Sequence, residues 1–299
     1  MSEQTTDETP AAPAKQKKPI VWLHWATDAL IGRNWGDKLN PALVRFLSGR
    51  KVRHGNDLPT DREDRTVYSV IGSHIARSEA HWVVWGTGFI SLDQKMRATP
   101  KQICAVRGPL TRKKLNGMGI ACPQTYGDAA LLYPAMHAAP RDIKYDLGII
   151  QHIREAGEIP LPPMDDGISV KVIDITGGLT EVIDEIVSCR RIVSSSLHGQ
   201  IASHAYGVPA SWVSFSDRPK GDGFKFRDYW ATAGNAEVQP TPVTAETTMR
   251  DLAALRTPVT EVLDLDALID CCPFMDDDRK HKVSRLVRKN FRMHDLLGE

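Results

Sequence analysis

The sequence predicts an α/β protein of two Rossmann-like domains facing a cleft, followed by C-terminal helices. Three observations carry this reading. A chain of 299 residues exceeds what one hydrophobic core usually fills. Short β-rich runs alternate with helical patterns in two separate series, the mark of parallel sheets covered by helices. Between the series, at 133–141, lie two prolines and several alanines without periodicity, which reads as a linker. A hydrophobic content of 41% leaves enough apolar surface for a core in each half. The expected units are a disordered tail at 1–19, domains at 20–135 and 142–235, and helices at 236–299.

The first series opens with IVWLHW and continues with a helix over 39–47, then TVYSVIG, WVVWGTGF, ICAVRG and a helix in PLTRKKL. Pro41 and Pro109 are read as first-turn residues, where a missing N–H costs nothing. The second series runs DLGIIQHI, SVKVIDIT, a helix over 179–189, RIVSSS, a helix over 197–206, and ASWVSF. After Phe224 the pattern turns helical, with no further convincing strand. In such sheets the C-terminal ends of the strands and the helix starts that follow them form the walls of the binding crevice.

Composition excludes several classes. A net charge of +1 gives no electrostatic footprint for nucleic acid. Five cysteines, odd in number and without a CxxC pair, argue against a disulfide framework or a zinc site and for a reducing compartment. The tail at 1–19 lacks the apolar stretch of a signal peptide, and no run is long enough to span a bilayer. A cytoplasmic or peripheral protein is expected.

The strongest local signal is RIVSSSLHGQIASHAYGVPASWVSF, a strand running into a helix through three serines. Unpaired N–H groups at a helix start, with the hydroxyls of Ser195 and Ser196, suit a phosphate or carboxylate, although serine there is also an ordinary N-cap. His198, in the first turn, projects toward whatever is bound and is a candidate acid, whereas His204 reads as a packed core histidine. Arg107, at a strand end beside Gly108, offers paired donors for an anion or else a structural ion pair. The loop GRNWGDKLNP places Asn34 and Gly36 beside Asp37, which is a helix cap or a site residue, and glycines there permit close approach to a ligand. It is not the GxGxxG of a dinucleotide site. Asp128 in YGDAALLYP either caps or faces the cleft. SDRPKGDGFKFRDYW gathers Arg218, Lys220, Lys225 and Arg227 as a solvated basic loop or a mobile anion clamp.

Taken in order, NWGDKLNP, WGTGF, CAVRGPLT, YGDAALLYP, SSSLHGQIASHAYGVP and GDGFKFRDYW resemble the polysaccharide pyruvyltransferase family. Within it they look like the exopolysaccharide ketal pyruvyltransferases of the succinoglycan type. The resemblance spans nearly the whole chain after the tail. It implies a fold like the GT-B glycosyltransferases, phosphoenolpyruvate as donor substrate with no further cofactor, no catalytic metal, and a sugar acceptor on a lipid-linked oligosaccharide. It also implies that Arg107 and His198 occupy positions used in donor binding or catalysis. Many relatives carry arginine just before the Leu-His pair; this chain has Ser196, and Lys225 or Arg227 is the candidate substitute.

The chemistry these residues support is protonation of the donor methylene by His198, addition of one sugar hydroxyl, loss of phosphate, and closure by a second hydroxyl. Asp37 and Asp128 are the weaker candidates for the base. The C-terminal segment DDDRKHKVSRLVRKNFRMHDLL reads as an amphipathic helix whose stripe of Val283, Leu286, Val287 and Phe291 docks on the first domain. Its basic face is a candidate contact with anionic lipid at the inner face of the cell membrane. Two rival readings remain at this point: a nucleotide-sugar glycosyltransferase of the same architecture, and a non-catalytic protein that binds a glycan or a phosphorylated metabolite.

Overall fold

A computed structural model describes residues 19–61, 64–164 and 167–298. The tail expected at 1–19 therefore lies, except for Pro19, outside the described residues. Among the described residues, ten strands form two five-stranded sheets, all parallel. The first contains β1 (Val21–His24), β2 (Val52–His54), β3 (Val67–Ser69), β4 (Trp82–Trp85) and β5 (Gln102–Ala105), in the order β2-β1-β3-β4-β5. The second contains β6 (Tyr145–Ile150), β7 (Val170–Val172), β8 (Cys189–Ser194), β9 (Ala210–Ser214) and β10 (Thr241–Pro242), in the order β10-β9-β8-β6-β7. Both sheets thus wind the same way, with their first strand between the second and the third. The winding reverses beside β1 and beside β6, and a ligand crevice is expected outside those strand ends.

Eight α-helices among the described residues connect and cover the sheets: α1 (Trp35–Ser48), α2 (Pro109–Gly117), α3 (Leu179–Val187), α4 (Leu197–Ala205), α5 (Phe224–Trp230), α6 (Met249–Ala254), α7 (Leu265–Asp270) and α8 (Asp277–Asn290). Helix α1 buries Trp35, Leu39, Leu43 and Leu47, a stripe at i, i+4, i+8 and i+12. It begins earlier than the apolar pattern alone indicates, because Asn34 rather than Asp37 is its N-cap: the Asn34 side chain accepts the Gly36 N–H at 3.1 Å. Pro41 consequently sits inside the helix instead of in its first turn. Pro109 does occupy a first-turn position, in α2.

Three further expectations are corrected. The 39–47 pattern is followed by an unforeseen strand, β2, whose three residues are too few to show alternation. Past Phe224 the chain still adds an edge strand, β10, of two exposed residues. The proposed linker starts inside a buried 3-10 helix (Ala129–Ala135), where Leu131, Leu132 and Tyr133 fill the core and Pro134 is tolerated.

One apolar cluster runs through both halves, from Leu39 and Trp85 through Ile183 and Ile201 to Phe274 and Val283. The C-terminal helices dock on the first domain. Val283, Val287 and Phe291 are buried, and Arg279 donates to the carbonyls of Phe46 and Leu47 at 2.7 and 2.6 Å, at the C-terminal end of α1. Among the described residues no helix is long and apolar enough to cross a membrane.

Candidate active site

The two switch points face each other. On the first domain, the buried side chain of Asn40 is locked to the backbone of Ile71 by paired hydrogen bonds of 3.0 and 3.3 Å, which pins α1 to the end of β3. One turn earlier on the same helix, Gly36 and Asp37 therefore stand over the crevice. Asp37 is buried and its Oδ1 lies 3.2 Å from His74 Nε2.

On the second domain, β8 ends in Ser194, and its hydroxyl accepts the Ser196 N–H at 3.0 Å while donating to the Ile150 carbonyl at 3.0 Å. Ser195 bonds the Glu155 carboxylate at 2.5 Å and accepts the His152 N–H at 2.8 Å, joining the loop after β6 to that after β8. Ser196 is the N-cap of α4, and its hydroxyl has no partner among the described residues. The first amides of α4 are thus oriented toward the crevice.

His198, in the first turn of α4, meets the first domain directly. Its Nδ1 lies 3.2 Å from Asn34 Oδ1, so the residue that caps α1 also orients the imidazole. The ring packs so closely on Gly36 that a Cβ there would lie 2.2 Å from Nδ1. Nε2 faces Asp128 Oδ2 at 3.9 Å, and neither atom has a hydrogen bond. Asp128 is a cap, and it is fully buried. Its Oδ1 caps the 3-10 helix at Ala130 N, 3.0 Å away, and its Oδ2 faces the cleft histidine. Burial lowers the proton affinity of His198, against the carboxylates of Asp128 and Asp37, and raises that of Asp128, against His198. Both shifts favour the neutral pair.

Arg107 is fully buried and already engaged. Its Nε and Nη2 reach Asp228 Oδ2 at 3.0 and 2.9 Å, Nη1 donates to Ser73 Oγ at 2.8 Å, and Nη2 donates to the Phe89 carbonyl at 2.6 Å. Asp228 also accepts from the backbone and hydroxyl of Thr111 at 2.8 and 2.7 Å, which ties α5 to the start of α2. Gly108 is needed at this junction, since a Cβ there would lie 1.9 Å from the Asp228 carbonyl oxygen. The charge of Arg107 also lowers the proton affinity of His198, Asp128 and Lys225.

The expected basic loop divides. From Phe224 onward it is helix α5, held by buried Phe224, Phe226, Tyr229 and Trp230, whereas Arg218 and Lys220 stay in the loop before it. Lys225 points inward and is buried, with no hydrogen bond or ion pair among the described residues. Burial, then Arg107 and Arg154, pull its pKa down to about 8. Arg227, two residues on, turns away, donates to the Asp222 carbonyl at 2.8 Å and lines a separate cavity of about 330 Å³ together with Ser195. Arg218 lies 3.4 Å from Glu158 on the exposed surface. His204 is fully buried with Nδ1 at 2.8 Å from the Tyr229 hydroxyl, and burial lowers its pKa to about 4.

Four residues of the cleft escaped the sequence reading: His74, His152, Glu155 and Asp228. Only His74 had a local cue, a glycine-flanked position just after the TVYSVIG strand. Beside the cluster a larger cleft of about 910 Å³ opens between the loop after β1 and the ends of β6 and β7, lined by Arg33, Gln151, Arg154, Asp174, Thr176 and Arg218 among others.

Fold and cleft together define a two-domain, Rossmann-like α/β protein whose crevice joins a helix start, an unpaired lysine and histidine–carboxylate pairs. Residues 34–217, more than half of the chain, match the family described as polysaccharide pyruvyl transferase, and the chain belongs to that family. It is 30% identical over 216 residues to the succinoglycan biosynthesis protein ExoV of Rhizobium meliloti (strain 1021), covering 67% of this chain and 62% of that protein. It is 32% identical over 176 residues to the uncharacterized protein L143 of Acanthamoeba polyphaga mimivirus, covering 56% of this chain and 60% of that protein. The chain thus covers less than two thirds of either relative's length. The family match takes in Asn34, Gly36, Asp37, Arg107, Asp128, Ser195, Ser196 and His198, and ends before Lys225 and Arg227.

Proposed function

We propose that the protein transfers a pyruvyl group from phosphoenolpyruvate to a sugar of an exopolysaccharide repeat unit, forming a pyruvate ketal. The observation that carries this reading is His198 itself: an imidazole fixed by Asn34 of the opposite domain, 3.9 Å from a buried carboxylate and on the first turn of an anion-receptive helix. The donor's negative groups lie at the start of α4, against the Ser196 hydroxyl, the Lys225 ammonium and the Arg154 guanidinium. Lys225 thereby takes the place of the arginine that Ser196 replaces, while Arg227 bonds elsewhere. Arg107 contributes charge and holds the domains together through Asp228.

A bound dianion reverses the balance at His198 by favouring the imidazolium. His198 then gives a proton to the methylene carbon, and the adjacent carbon becomes electrophilic. Asp128 stabilises the imidazolium before transfer. The acceptor occupies the neighbouring cleft of about 910 Å³, which has room for more than one sugar. In the cell, a lipid-linked acceptor brings the protein to the cytoplasmic face of the membrane, with the basic side of α8 toward anionic lipid.

The test is incubation with labelled phosphoenolpyruvate and a panel of lipid-linked oligosaccharides, followed by mass analysis for a pyruvate adduct formed with loss of water and by phosphate release. Ketal product in wild type and none in His198→Ala supports the reading. Thermal stabilisation by a nucleotide sugar but not by phosphoenolpyruvate replaces it with glycosyl transfer. Donor binding without phosphate release, whatever the acceptor, replaces it with a binding protein.

A further inference from the structure

Ketal formation needs a group that takes protons as well as one that gives them, since two hydroxyl O–H bonds break. The cleft holds a second histidine–carboxylate pair for which the scheme above has no use. His74 follows β3 at the switch point, its backbone N–H is fixed by Thr87 Oγ1 at 3.0 Å, and its Nε2 lies 3.2 Å from Asp37 Oδ1. With Nε2–H donated to Asp37, Nδ1 is left with a lone pair. Nδ1 has no hydrogen-bond partner among the described residues, and the His74 side chain keeps 11% of its surface exposed.

The placement is specific. Asp37 bonds His74 of its own domain, and its charge also raises the proton affinity of His198 of the other. Its neighbour Gly36 carries the His198 ring on its bare Cα. On the far side, His24 stands edge-on to His74 at 5.2 Å between ring centres. Burial, then His74, His54 and Arg77, hold the His24 pKa at about 3, so His24 is a neutral wall that does not compete for the proton. A histidine oriented by a carboxylate, with its other nitrogen free, is the arrangement of a general base.

Resting on the proposed reaction, we infer that His74 is the base that deprotonates the acceptor hydroxyls and that Asp37 is its positioning residue. The balance is as follows. His198 gives a proton to the donor methylene carbon, forming the methyl C–H bond. The first hydroxyl oxygen bonds to the adjacent carbon while its proton passes to His74 Nδ1. The carbon–oxygen bond to phosphate then breaks as the proton on His74 passes to the departing phosphate, and the second hydroxyl oxygen closes the ring as its proton goes to the freed His74 and on to His198. Of the two hydroxyl protons, one replaces that lost by His198 and the other leaves on phosphate.

The test compares wild type, His74→Ala, His74→Gln, Asp37→Asn and the His74→Ala/Asp37→Asn double variant, following phosphoenolpyruvate binding, phosphate release and ketal formation with and without added imidazole. His74→Ala is expected to lower kcat about 100-fold or more, the scale of a lost general base, with donor affinity retained. Imidazole should restore part of the rate to His74→Ala but none to His74→Gln, which fills the space. Asp37→Asn should lower kcat alone yet add little in the double variant, because the pair acts as a unit. Unchanged kcat in His74→Ala, or a loss accompanied by lost donor binding and unmoved by imidazole, overturns the assignment. Should His74→Ala not fold, His74→Gln with wild-type kcat overturns it alone. Wild type that releases no phosphate overturns the underlying reaction as well, a distinct result.

Discussion

At Lys225 stability and function pull in opposite directions. Burying an ammonium is costly, and with the charges of Arg107 and Arg154 this outweighs Asp37 and Glu155, which is why its pKa falls from 10.5 to about 8. Between those values the unfolded chain binds more protons than the folded one, so stability rises with pH across the window from 8 to 10.5. Lys225→Met should therefore unfold at a higher denaturant concentration than wild type at pH 7, and the advantage should shrink as pH climbs toward 10.5. The same variant should bind phosphoenolpyruvate weakly at every pH. In wild type the dianion raises the lysine's proton affinity, so binding takes up a proton above pH 8 and weakens about tenfold per pH unit there. Calorimetric titrations at pH 7, 8 and 9 check this, and a flat profile removes Lys225 from the donor site. The sequence displayed Lys225 and Arg227 as equals. Only the helical turn of α5, which sends residues two apart in different directions, separates them.

Helices α1 and α4 meet end to end across the cleft, and their contact depends on a glycine. A methyl group at Gly36 would overlap the His198 ring, with three ring atoms between 2.2 and 2.4 Å away. Gly36→Ala should force the imidazole off Asn34, costing about 1–3 kcal/mol in stability as an overpacked contact. It should abolish turnover while donor still binds at α4, an outcome read by comparing kcat with a donor titration. Near-wild-type kcat would mean that the ring's position is not what turnover requires. The elements themselves were largely legible: buried parallel strands are continuous apolar runs, and α3 and α4 start where the sequence placed them, at Leu179 and Leu197. The misses have physical causes. Strands β2 and β10 are too short for any pattern, and Asn34 displaced Asp37 as cap because helix starts are decided by backbone geometry that several polar residues satisfy equally well.

Across the whole molecule, what joins the two sheets was the least visible part of the sequence, because it consists of pairs distant along the chain. Asp228 reads as one more acid on a short helix, yet it receives Arg107 and Thr111 from the first domain with both charged side chains fully buried. Lys38 reaches across to the carbonyls of Thr176 and Gly177, the Trp35 indole donates to the Leu179 carbonyl at 3.0 Å, and α8 seals the back through Arg279. With one apolar cluster threading both halves, the sheets should unfold together, in a single transition whose calorimetric and van't Hoff enthalpies agree. Removing one partner of a buried ion pair strands the other, so Asp228→Ala should cost about 3–5 kcal/mol. Because Asp228 bridges the domains rather than supporting one core, the loss should also split the transition in two, the second domain's tryptophans reporting one step and near-ultraviolet dichroism the sum. Asp266→Ala, which breaks the exposed pair with Arg288, is the control that should leave the midpoint almost unmoved. A single transition that merely shifts in Asp228→Ala would show that the shared apolar core, not the ion pair, couples the domains, and that the cleft keeps its shape without it.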